Sequence, residues 1–228
     1  MITTSALYNT IWQDPRHIAE TKIVCGANTY NQSQILNCER SQSLYGDQYG
    51  VGNTVINEIQ FSLMGATAAD IPRMSRVEIW TRFWNGTRTS SSEWIPMGVF
   101  ITAKPDYDTE SGIIKVRGYD EMIKTNVVPF EQGSTVTTWS NPTLQQVAQH
   151  ITAGTNTTGK IETNYAGVGI DLEDATQVPN DIIMPAIPYT YTVREILADI
   201  AAAAGGNWTV VFQNDGNDGQ VGKLRLIK

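Results

Sequence analysis

Between Thr21 and Met122 apolar and polar residues alternate in short runs broken by Gly, Pro, Asn and Ser, the pattern of consecutive strands. The first runs are TKIVCGANTY (21–30) and ILNCERSQSL (35–44). In TVINEIQFSLM (54–64), Val55, Asn57, Ile59, Phe61 and Leu63 share one face, with Asn57 the polar exception. Ile56, Glu58, Gln60 and Ser62 take the other face. RVEIWTRFW (76–84) sets Val77, Ile79, Thr81 and Phe83 against Glu78, Trp80, Arg82 and Trp84. NGTRTSSSE predicts a hairpin with a long polar tip, WIPMGVFIT (94–102) its return strand, and GIIKVRGYDEM (112–122) the strand after that. Pro96 has no N–H for a ladder and belongs at an edge or a bulge. GATAADIPRMS breaks the period and predicts a turn or short helix ending at Pro72.

The period lengthens after about Lys124. NVVPFEQGSTVTTWSN predicts a linker with an extended element, followed by a helix capped by Ser140 or Asn141, with Pro142 in its first turn. Leu144, Val147, Ala148 and Ile151 form that helix's apolar stripe, and Gly154 stops it. Thr192 and Glu195 form a capping-box pair for a second helix. Its stripe is Val193, Ile196, Leu197, Ile200, Ala201 and Ala204, and it ends at Gly205-Gly206. The apolar positions of the two helices align from Thr143 and Thr192, as a weak internal duplication would give or as two amphipathic helices share without one, the second being the expectation. NWTVVFQNDGNDGQVGKLRLIK predicts a closing hairpin. The sum is a mainly β protein with an α+β part. Residues 1–124 form the β domain, and residues 125–228 form a smaller mixed α/β domain with two short helices and a C-terminal hairpin.

Hydrophobic residues at 41% and charged residues at 17% are globular values. The formal charge of −7, with no Lys/Arg cluster, predicts no sequence-specific nucleic-acid binding, which needs cations to displace counterions. The N-terminus lacks a basic start followed by an apolar run, and no apolar stretch reaches bilayer length, so neither a signal peptide nor a membrane anchor is expected. Cys25 and Cys38 have no zinc spacing; a bridge between neighbouring strands is conceivable, and two buried thiols are the expectation.

Chemistry-bearing patterns are sparse. His17 lies in an irregular N-terminal segment, and His150 is expected as a partly exposed helix residue. No nucleophile-elbow, zincin, Walker or dinucleotide motif occurs, and DGNDG (215–219) lacks the Glu of a calcium loop, Leu226 standing at its twelfth position. The sequence therefore predicts no catalytic, cofactor-binding or metal site. Trp80 and Trp84, on a face shared with Arg82, form the surface feature of note. Either the sheet is covered on both sides, or Trp80, Arg82 and Trp84 belong to a subunit interface, where Trp and Arg are enriched.

IPRMSRVEIWTRF, SEWIPMGVFITAKPDYD and IIKVRGYDEMIKT together resemble the N-terminal region of phage tail baseplate hub proteins, including the hub proteins of contractile tails and the tail-tip, tail-associated-lysin proteins of siphophages. The positions carrying the likeness are Ile71, Pro72, Val77, Trp94, Gly98, Phe100, Tyr119, Asp120 and Met122. YTVREILADIAAAAGGNWTV and GKLRLI are similar to the family's helix, glycine stop and hairpin. The resemblance implies a tube-type antiparallel β-barrel followed by a mixed α/β domain. In the family a second barrel follows, and three subunits make a pseudo-sixfold ring that continues the tail tube; these 228 residues hold room for the first barrel and the mixed domain. The implied protein is a non-enzymatic structural part of a virion tail, made in the bacterial host cytoplasm. Its implied partners are tail-tube and baseplate proteins and copies of itself, as a trimer if the chain is full length. The rival expectation is a non-catalytic carbohydrate-binding β module of a tail or cell-surface protein, with Trp80, Trp84 or Trp94 as the stacking platform. A third is a peptidase or lysozyme activity beyond Lys228.

Overall fold

In the computed structural model, residues 4–41, 51–54, 56–127, 141–153, 167–184, 190–214 and 219–228 are described. Val55, the extended element expected within 128–140, Ser140, Gly154 and the hairpin tip 215–218 lie outside them. The chain divides into two units, each discontinuous in sequence. The first comprises Met1–Ser41, Glu58–Asp120 and Phe212–Val221; the second comprises Gln42–Asn57, Glu121–Val211 and Gly222–Lys228.

The first unit is built on one antiparallel sheet. Its strands are β1 (Ile18–Cys25), β2 (Asn28–Tyr30), β3 (Ile35–Ser41), β4 (Glu58–Met64), β5 (Arg76–Trp84), β6 (Ile95–Thr102), β7 (Asp106–Asp108) and β8 (Ile113–Tyr119). They are ordered β2-β1-β5-β6-β8-β4-β3, with β7 also paired to β8. The β-rich antiparallel architecture is the expected one. The tube-type closure is not in this ladder: among the described residues the order ends at β2 and β3, and no pairing joins those two strands.

β6 pairs with β5 from Ile95 to Ile101 but meets β8 only at Ile101 and Thr102, opposite Tyr119 and Gly118. Beyond that crossing β7 takes over the same edge of β8. Gly118 fits closely there: a Cβ would lie 3.0 Å from Ile59 Cγ2 and 3.1 Å from Phe100 Cβ, so a larger residue would need those side chains to give by a few tenths of an ångström. Registers stack Ile23 on Ile79, Val77 on Phe100, Phe61 on Val116 and Leu63 on Ile114, all buried. Each such side chain contributes roughly 1.5–3 kcal/mol by leaving water.

Several sequence expectations change here. TKIVCGANTY is two strands, not one: Gly26 at φ 56° begins a two-residue loop between Cys25 and Asn28, a conformation that favours glycine. The strand expected from Thr54 begins at Glu58. The N-terminal segment is not irregular but carries a helix, α1 (Ala6–Trp12), with the Ser5 hydroxyl accepting from the Tyr8 N–H. Trp12 and Tyr8 close on the ring of Phe83, with centroids 5.0 and 5.7 Å away at steep interplanar angles. Cys25 and Cys38 lie on β1 and β3, which are not neighbours, and both thiols are free. Cys25 is buried and Cys38 partly so; burial pushes the Cys38 thiol up to about 11.

In the second unit a 3₁₀ turn (Glu121–Thr125) precedes α2 (Leu144–Ala153) and α3 (Val193–Ala204); the paired strands β9 (Asn207–Asn214) and β10 (Gln220–Ile227) follow, of which Phe212–Asn214 and Gln220–Val221 belong to the first unit. Both predicted stripes are buried, apart from Ala204, which is half-buried. The capping box at Thr192 and Glu195 forms as expected, and Gly205 ends α3 at φ 73°. The cap of α2 is not Asn141: the Gln146 N–H donates to Thr143 Oγ1, and Gln146 Oε1 accepts from the Thr143 N–H. Thr143-x-x-Gln146 thus repeats the reciprocal cap of Thr192-x-x-Glu195, and Pro142 stands just outside the helix. His150 is fully buried rather than partly exposed, because at three residues from Val147 it widens the stripe.

Candidate functional site

Register decides what the second face of β5 meets. Antiparallel pairing sets Lys22 opposite Trp80, Glu20 opposite Arg82 and Ile18 opposite Trp84. Directly opposed side chains on one face lie within contact distance, so the charges of β1 fall among the rings of β5. The Lys22 ammonium lies 5.2 Å from the Trp80 ring centre and 4.5 Å from that of Trp94. The Arg82 guanidinium lies 4.5 Å from Trp94 and 4.7 Å from Trp84. Trp80, Lys22, Trp94, Arg82 and Trp84 thereby alternate ring and cation, each within cation–π range.

Carboxylates hold both ends of this ladder. Glu20 Oε2 accepts from Arg82 Nε at 2.7 Å and from the Trp84 indole N–H. Glu78 Oε2 accepts from the Trp80 indole N–H at 3.1 Å, and its other oxygen pairs with Arg76. Glu78 and Trp80 are only 7% and 5% exposed. Such a charge survives burial because it is paired and hydrogen-bonded.

All three predicted site residues come together here, and one of them is corrected. Trp80 does not look outward, being 5% exposed, while Arg82, Trp84 and Trp94 remain half-buried. Sequence reading missed Glu20 and Lys22. Lys22 lies in the run read as a strand and Glu20 one residue before that run, and the register against β5, some sixty positions away, was not legible.

The Arg82 hydrogen bond holds the Glu20 carboxyl below its ordinary value of 4.5, against burial, which pushes it up. A carboxyl lowered by folding lends stability that is complete above the unfolded value and is lost as pH falls through the folded one. Acid titration of tryptophan fluorescence is therefore expected to show the ladder loosening only below about pH 4.5. Glu20→Gln should abolish that step.

Elsewhere a cleft of about 510 Å³ opens at the β1–β2 tip, beside Cys25, Asp70, Arg76 and Glu78. Its carboxylates are already engaged: Glu78 as above, and Asp70 Oδ2 by the Thr67 N–H and hydroxyl. Among the described residues no three His, Cys, Asp or Glu side chains gather as a metal set, and no helix is long and apolar enough to cross a membrane.

No family model matches the chain, and no curated protein matches it. Among solved structures it is similar to the 43 kDa tail protein of prophage MuSo2 from Shewanella oneidensis, at 13% identity and a TM-score of 0.47. The match covers 90% of this chain and 54% of that one, so the chain spans about half that protein's length.

Proposed function

We propose that this chain is a non-enzymatic structural component of a phage or prophage tail, at the baseplate hub or tail tip. Copies of it associate into a ring that continues the tail tube. The observation that carries this reading is the ordered set of motif positions and the places they occupy. Ile71-Pro72 lies in the turn before β5, Gly98 sits in β6 where the ladder shifts register, and Asp120 follows β8 fully buried. These are constrained points of the sheet, where residue identity matters more than on an ordinary strand.

A ring subunit needs a surface for its neighbours, and half-buried Arg82, Trp84 and Trp94 have the composition of interface centres. The charge of −7 suits a ring through which DNA passes, since a basic lumen would hold the phosphates. Sugar stacking is the weaker reading, because cations already occupy faces of Trp80, Trp84 and Trp94. The test is electron microscopy of the chain at rising concentration, alone and with tail-tube protein. Closed rings, or rings capping tubes, are expected. Monomers that ignore the tube, together with a glycan screen whose binding is lost in Trp84→Ala, would replace this reading with the carbohydrate one.

A further inference from the structure

Residues 212–221 belong to the first unit, and Gln220 among them is fully buried. Its side chain reaches the one place where the β5–β6 ladder breaks. Register runs Glu78 opposite Val99 and Ile79 opposite Gly98, then slips, so that Trp80 faces Pro96 and Met97 is the extra residue. A bulge of this kind leaves ladder groups unpaired. Gln220 Oε1 accepts from the Gly98 N–H at 3.0 Å, and Gln220 Nε2 donates to the Ile79 carbonyl at 2.8 Å. One side-chain amide thus answers one donor and one acceptor on the two strands at the break. The Gln220 main-chain carbonyl also accepts from Arg76, whose other nitrogen pairs with Glu78, which holds the Trp80 indole.

The bulge decides where Trp94 points. Side chains alternate along a strand, so one extra residue turns everything beyond it to the other face. With Met97 looped out, Trp94 falls on the face of Arg82, 4.5 Å from its guanidinium. In an unbroken ladder it would stand opposite Phe83, on the face that carries Ile79. We infer that Gln220 is the positioning residue of the tryptophan–cation ladder: by pinning the bulge it puts Trp94 between Lys22 and Arg82. No local pattern announces this, since Gln220 lies 122 residues from Gly98 and 141 from Ile79.

The test uses the full chain with Gln220→Met, Gln220→Glu and a control, Thr209→Val, whose hydroxyl is buried without a hydrogen-bond partner. Gln220→Met keeps the volume and removes both hydrogen bonds. It is expected to speed exchange of the Gly98 amide about tenfold relative to its strand neighbours, and to change the near-ultraviolet circular dichroism of the tryptophans. Thr209→Val should do neither. Gln220→Glu lacks the donor while ionised and regains it when protonated, so its dichroism should return toward the wild-type spectrum as pH falls, measured against wild type at each pH. If Gln220→Met does not fold, the Glu series decides. Unchanged Gly98 exchange and dichroism in Gln220→Met, equal changes in the Thr209 control, or no recovery of the Glu variant in acid would overturn the inference. That weaker ring association should accompany the Met variant rests on the proposed function; the exchange and dichroism results do not, so either can fail alone.

Discussion

Replacing Trp208 by alanine is expected to destabilise the second unit by about 3–5 kcal/mol, the cost of emptying a buried aromatic site. Trp208 is 1% exposed, and its indole N–H donates to the Leu197 carbonyl of α3 at 2.8 Å. Its main-chain N–H donates to the Asn53 carbonyl, also at 2.8 Å. The side chain therefore ties β9 to the helix and is itself almost fully buried. Phenylalanine at this position keeps most of the volume and loses the hydrogen bond, so Trp208→Phe should cost only about 1–2 kcal/mol. Urea unfolding separates the two: a lower midpoint at unchanged slope for both variants, with alanine well below phenylalanine. Equal losses would mean that the hydrogen bond, not the packing, carries the effect.

Trp80→Ala is expected to cost the first unit about 3–4 kcal/mol, because it removes a nearly buried ring, its contact with Lys22 and the donor to Glu78. Trp84→Ala should cost about 1 kcal/mol or less, since Trp84 is half-buried and holds its cation at the edge of the ladder. The contrast is the informative part. An interface tryptophan matters to association more than to folding, whereas a covered one matters to folding first. Chemical denaturation of both variants reads this directly: comparable losses would mean that Trp84 is as much a core residue as Trp80.

Much of the fold was legible because it is local. Period-two runs located β4, β5, β6 and β8, and the Thr192-x-x-Glu195 cap with its glycine stop located α3 to the residue. What escaped was either too short or too distant. α1 has seven residues and only Ser5 as a signal. The cap of α2 was overlooked because Pro142 drew the start of the helix forward, away from Thr143 and Gln146. Half of the candidate site was visible as Trp80, Arg82 and Trp84 on one face of one strand. The other half needed the β1 register and the slip at Met97, which no pattern within β5 encodes. The closure of the sheet is likewise a matter of long-range pairing, and alternation alone does not tell a closed sheet from an open one.

Self-association would use one surface, the face where Arg82 and Trp84 stand beside Trp94. Sedimentation equilibrium of wild type and Arg82→Glu across a wide concentration range measures that most directly, with circular dichroism confirming that both are folded. The proposed self-association predicts a reversible oligomer for wild type and association weaker by tenfold or more for the variant, a loss of about 1.4 kcal/mol or more. A wild-type chain that stays monomeric throughout, or a variant that assembles as well as wild type, would contradict it.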